Sequence, residues 1–280
     1  MTASGRATIR GASLAYEITG ADDATGGAGE AAGHGLPVIW GHGLTMDRVS
    51  DAELGLVHWD RLSVPVVRYD ARGHGESAST ADLDGYLWSE LALDQLALAD
   101  MLGIDRYVAA GASMGCGTAL YAAIAGGSRV AALVLAIPPT AWETRAARAG
   151  QLVEEATTVE RDGIEAAIAS WADDDVADPF RGDRARRAQE AAAARRWEPA
   201  RLATVLRGSA RANLPDRADI AGIDVPALIL AWTGDAAHPM STADELARLL
   251  PRAELHVSST RAEVDTWTDL VGTFLDRLVR

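Results

Sequence analysis

The chain has 280 residues, an apolar content of 48% that is ample for a large buried core, and a formal net charge of -14. Such an acidic surface repels phosphate backbones and anionic lipid, which disfavours nucleic-acid and membrane partners, and no apolar run reaches bilayer-spanning length. The single cysteine, Cys116, rules out an intramolecular disulfide, and the absence of lysine excludes Schiff-base and pyridoxal-lysine chemistry, which need an amine.

In chain order, Met1 to Arg10 carries no apolar run and does not resemble a signal peptide, so a soluble, cytoplasmic protein is expected. Ala7 to Arg10 and Ser13 to Ile18 flank Gly11-Ala12 and read as an antiparallel hairpin, and Gly20 to Gly35 reads as a loop. Short apolar runs suited to buried parallel strands follow at Leu36 to Trp40, Val64 to Tyr69, Tyr107 to Ala110, Ala132 to Ile137, Ala227 to Trp232 and Ala253 to Ser258. Helical patterns lie between them at Tyr86 to Leu102, Ser113 to Ala125, Thr242 to Leu250 and Val264 to Leu278. Strand alternating with helix predicts an α/β fold, a mostly parallel sheet with helices on both faces. The Ala/Arg/Glu-rich interval 141–215 breaks the rhythm and reads as a helical cap inserted into a core formed by 1–140 and 216–280.

Tyr107 to Gly117 contains Gly111-x-Ser113-x-Gly115 between a predicted strand and a predicted helix, the context of a nucleophile elbow. The helix that follows would point free N–H groups at a developing oxyanion. After the first parallel strand comes Gly41-His42-Gly43-Leu44-Thr45, and after the next comes Asp70-Ala-Arg-Gly-His-Gly-Glu-Ser77. In order and spacing these motifs resemble the α/β-hydrolase superfamily from about Pro37 to Leu278, and most of all its esterase and enol-lactonase-like branch. The resemblance implies Ser113 as nucleophile, with the Leu44 and Met114 N–H groups as oxyanion hole. It implies a mainly structural role for Asp70 to Ser77. His42 is a candidate pocket residue, although such histidines, like His74, usually brace loops.

The strand Pro226 to Trp232 is followed by Thr-Gly-Asp-Ala-Ala-His-Pro239, where the family places its triad acid; Asp235 matches that position. The family's base is a histidine a few residues past the last strand. Here that loop reads Ser259-Thr-Arg-Ala-Glu-Val-Asp265 and holds none; by count, Glu263 stands near the place. A serine hydroxyl needs a general base near neutral pH, and a glutamate serves poorly unless burial raises its pKa. His238, three residues after Asp235, is the candidate replacement, whereas His256 lies within a strand and reads as structural. His34 and His58 have no supporting context.

Cys116 reads as core, and Trp142 and Trp232, both following strand ends, are the candidate pocket walls. Asp173-Asp-Asp175 reads as a solvated loop; no zinc-ligand spacing and no G-x-G-x-x-G after a strand occur, so no cofactor or metal is expected. Two functions follow. One is a cofactor-free serine hydrolase of a small-molecule carboxylic ester or lactone with an uncharged or apolar acyl site. The other, motivated by the missing histidine, is a non-hydrolytic isomerase, epimerase, lyase or small-molecule binder with a degenerate triad.

Overall fold

The computed structural model describes residues 2–20, 35–171 and 176–278. The predicted loop between Gly20 and Gly35, His34 and the Asp173 to Asp175 run therefore lie outside the described residues. Arg10 and Gly11 sit at φ of 46° and 81°, the backbone of a two-residue hairpin turn whose twist matches that of its strands. It joins β1 (Thr2–Ile9) to β2 (Ala12–Thr19), a longer hairpin than the sequence suggested.

The parallel strands follow as β3 (Val38–Gly41), β4 (Val66–Tyr69), β5 (Tyr107–Ala112), β6 (Val130–Ala136), β7 (Ala227–Trp232) and β8 (Ala253–Ser258). They form one sheet in the order β1-β2-β4-β3-β5-β6-β7-β8, antiparallel only where β2 meets β1 and β4. Side chains alternate across it as a two-residue repeat dictates. The short helix α1 (Arg48–Leu54) follows β3. Ile39 and Ala109 enter the core under α2 (Trp88–Met101) and α3 (Met114–Gly126), while Val38, Trp40, Val108 and Ala110 enter the opposite core. That second core also takes Val271, Phe274 and Leu275 of the C-terminal helix Trp267–Leu278. The helix predicted from Val264 is thus broken. A short turn, Arg261–Val264, stands before it, with Thr260 and Glu263 forming a capping box at its start.

Between β6 and β7 the chain is helical: α4 (Arg145–Asp162), α5 (Ile164–Ala169), α6 (Arg184–Ala194), α7 (Pro199–Ser209) and α8 (Arg217–Ala221). α4, α5 and α7 share a small core of their own around Leu152, Val159, Leu202 and Leu206. α7 is tied to the loop after β4 by Arg201, which donates to the carbonyls of Gly73, His74, Gly75 and Ser77. Among the described residues no helix is long and apolar enough to cross a membrane.

Candidate active site

Ser113 joins β5 to α3 at φ 52° and ψ -109°, a region that costs a non-glycine residue about 1–3 kcal/mol. Two backbone bonds hold it there, from Ser113 N–H to Ala136 O and from Cys116 N–H to Ser113 O. The flanking glycines make the corner sterically feasible. A Cβ on Gly111 would overlap the Gly115 backbone, and one on Gly115 would overlap Gly41 O. The three chain segments touch backbone to backbone, and no side chain has room to yield. Gly115→Ala should therefore lower stability by about 3 kcal/mol, read as a melting temperature several degrees lower; an unchanged melt would refute this close packing.

The loop after β3 lies against the serine, since a Cβ on Gly43 would come 3.9 Å from Ser113 Cβ. Leu44 and Met114 both line the cavity onto which Ser113 opens. Met114 is the first residue of α3, so its N–H has no acceptor within the helix. The Leu44 peptide is fixed from behind, its carbonyl 2.7 Å from His74 Nε2. His42 is not part of the cavity wall. It is buried, its Nε2 accepts from Ala71 N–H, and its other nitrogen lies 2.8 Å from Gly43 O. With both nitrogens committed and burial lowering its pKa, His42 is a neutral brace for the Gly43–Leu44 loop.

After β7 the chain turns at Gly234 (φ 77°). Asp235 Oδ1 accepts from the N–H groups of Ala237 and His238, closing the loop on itself. This curl brings the His238 ring back over the carboxylate. His238 Nδ1 lies 2.7 Å from Asp235 Oδ2, and Nε2 lies 2.8 Å from Ser113 Oγ. A carboxylate only accepts, so Nδ1 carries the proton and Nε2 is left to accept from the serine. Trp232 Nε1 donates to the same Asp235 Oδ2 at 2.8 Å. Burial alone would raise the Asp235 carboxyl, but the His238 charge and the hydrogen bonds from His238, Trp232 and Ala237 outweigh it and hold it at about 2.

That depression makes a stability prediction. The folded pKa lies below the unfolded one, so the stabilisation, about 2 kcal/mol, is complete above roughly pH 4 and lost as pH falls towards 2. Denaturant titrations of wild type and Asp235→Asn should show a stability gap that narrows between about pH 4 and pH 2. A gap independent of pH would count against stabilisation by the hydrogen bonds to the ionised carboxylate.

The other candidates for the base lie elsewhere. Glu263 is exposed and accepts from Ser259 N–H and Thr260 N–H. His256 lies on the edge strand β8 opposite Leu230, and His58 is exposed. Cys116 is wholly buried, its sulfur against the carbonyls of Gly111 and Ala136, and burial pushes the thiol pKa up. Among the described residues no three His, Cys, Asp or Glu side chains gather as a metal site.

The cavity holds about 600 Å³ and is walled by the β3, β5 and β7 loops on one side and by α4, α6 and their connections on the other. Trp232 lines it, as expected from its position, and its indole N–H also holds the Asp235 carboxylate. Trp142 does not line it, against expectation. Its N–H donates to Asn213 Oδ1 and its indole N–H to Pro215 O, under the Arg217 guanidinium. After β6 the backbone swings out at Ile137 (φ 48°) and through Pro138-Pro139, which carries Trp142 off to seal the base of α8. The wall also departs from the uncharged or apolar lining expected: Arg145, Arg148 and Arg186 of the helical segment all contribute to it. Sequence reasoning passed over them because arginine at helical spacing is ordinarily a solvated face.

The comparisons with known proteins agree with this architecture. The family model described as alpha/beta hydrolase fold matches residues 37–262. The N-formylmaleamate deformylase of Pseudomonas putida is 30% identical over 213 residues, which is 73% of this chain and 74% of that one. Among solved structures, the enol-lactonase of Burkholderia xenovorans superposes with a TM-score of 0.76 at 24% identity, covering 97% of this chain and all of that one. A thermophilic esterase of Thermogutta terrifontis gives 0.76 at 22% identity over 99% of each chain. At these identities the solved structures speak for the shared fold.

Proposed function

Because the chain belongs to the α/β-hydrolase fold family, we propose that it is a cofactor-free serine hydrolase of small-molecule carboxylic esters or lactones, with residues 141–215 as a cap over the site. The observation that carries this reading is the relay Asp235–His238–Ser113, with both hydrogen bonds shorter than 3 Å. The deformylase named above removes an acyl group by its name, in keeping with the reading. The non-hydrolytic alternative rested on a missing base, and His238 supplies one.

In the proposed cycle Ser113 Oγ attacks the acyl carbon while His238 Nε2 takes its proton. The carbonyl oxygen becomes an oxyanion held by the N–H groups of Leu44 and Met114. The tetrahedral species collapses as the bond to the leaving oxygen breaks, and the imidazolium returns the proton to that oxygen. Water then repeats the sequence on the acyl-enzyme. His238 accepts a proton from it, the new C–O bond forms, the Ser113 ester bond breaks, and Ser113 recovers its hydrogen. Asp235 stays ionised throughout and stabilises the imidazolium.

A fluorophosphonate probe tests this directly. Wild-type protein should be labelled at Ser113, with labelling lost in Ser113→Ala and strongly slowed in His238→Ala. Equal labelling of wild type and Ser113→Ala, or none of either, would defeat the proposal.

A further inference from the structure

Arg145 stands out among the cavity walls. It is only 6% exposed, and among the described residues no carboxylate pairs with it. Its Nε donates to Ala212 O at 2.7 Å, Nη2 to Ser209 O at 2.7 Å and to Ser209 Oγ at 3.5 Å, and Nη1 to Thr140 Oγ1 at 3.3 Å. The Ser209 carbonyl closes α7, so the negative end of that helix offsets part of the charge. The guanidinium carbon lies over the Trp88 ring, 4.6 Å from its centroid.

A donor count shows that the group is not saturated. A guanidinium has five N–H bonds, and four acceptor contacts are present, two of them long. Thr140 and Ser209 both receive hydrogen bonds from Arg145, so their own hydroxyl protons remain to be given. Among the described residues neither has an acceptor. Thr140, Arg145 and Ser209 are all buried in the protein and all line the cavity that holds Ser113. Thr140 also ties the group to the catalytic loop, because its N–H donates to Ala237 O, one residue before His238. Burial, and secondly the nearby Arg148, lower the Arg145 pKa to about 10, as for a cation that lacks a counter-charge.

We infer that Arg145, with the hydroxyls of Thr140 and Ser209, anchors a carboxylate carried by the substrate of Ser113, so that the enzyme selects esters or lactones of acids that keep a second, free carboxylate. This rests on the hydrolase reading and gives it a substrate class. The unpaired Arg145 guanidinium and three unspent donors, one N–H and two hydroxyls, match a planar carboxylate. The site also explains how a protein of net charge -14 can take an anion, since the attraction acts inside the cavity, where screening is weak.

The test compares the mono-4-nitrophenyl ester of adipic acid with the same ester capped as its methyl ester. A charge-assisted anchor is worth about 1.5–3 kcal/mol, so wild type should favour the free acid in kcat/KM by roughly 10–100-fold. In Arg145→Gln the preference should fall to near one, with the loss on the KM of the acid; Arg145→Lys should restore part of it. A separate binding measurement uses Ser113→Ala protein, which turns nothing over. Glutarate should raise its melting temperature, and should not do so when Arg145→Gln or Thr140→Val is added. Equal losses for both esters in Arg145→Gln, or glutarate stabilisation that survives both substitutions, overturns the anchor. Arg145-dependent glutarate binding with no turnover of either ester would instead leave the anchor standing and remove the hydrolase.

Discussion

Alanine at His238 should lower kcat/KM on any accepted ester by about ten-thousand-fold or more, while alanine at Glu263 should leave it within about twofold. The two substitutions separate geometry from chain position. By count along the sequence, Glu263 stands near the place where the family keeps its base, yet its carboxylate is turned to solvent and spent on the N–H groups of Ser259 and Thr260. Its loss should cost about 1 kcal/mol of stability, the value of a helix cap. His238 instead shares a proton with Ser113 Oγ at 2.8 Å. Steady-state kinetics of both variants on one chromogenic ester decides the matter. A large loss in Glu263→Ala with a small one in His238→Ala would reverse the assignment.

Asp235→Asn should reduce kcat by roughly ten-thousand-fold with little change in fold. The physical cause is a conflict of donors. Asp235 Oδ2 faces two N–H groups, from Trp232 Nε1 and His238 Nδ1, and Oδ1 faces two backbone N–H groups. An amide must present its NH2 to one pair. Turned towards Oδ2, it meets His238 Nδ1 as a donor and drives the imidazole proton to Nε2, the nitrogen that must accept from Ser113. Turned the other way, it breaks the closure of the loop. Because the carboxyl is held at about 2, no activity should be lost to Asp235 protonation above pH 4. kcat of the variant within tenfold of wild type would mean that the carboxylate is not needed to orient the ring.

Much of the sheet and the corner at Ser113 were legible because their signals are local. Apolar runs of strand length and the glycines of 111 and 115 report backbone constraints that hold wherever the segment folds. The place of His238 beside Ser113 was legible only as an option. The sequence shows His238 three residues from Asp235, but the return of the ring over the carboxylate depends on Oδ1 capturing two N–H groups in its own loop, which spacing does not encode. Trp142 was misread as a pocket wall because a strand end predicts direction only when the chain leaves it straight, and Ile137 does not. Arg145 was invisible for a different reason. Its neighbours Thr140 and Ser209 come from separate elements, and only packing brings them together.

Placing the carboxylate and the imidazole on a single four-residue segment has an evolutionary consequence. When those two groups come from separate loops, each loop is fixed by the other, and drift in either misaligns the pair. Here both groups sit on one loop whose own hydrogen bonds set their spacing. On the proposed assignment the stretch after β8 carries no catalytic group, so substitutions there should leave the chemistry untouched. The reverse liability is concentration of risk: one small deletion between Trp232 and Pro239 would remove both groups at once.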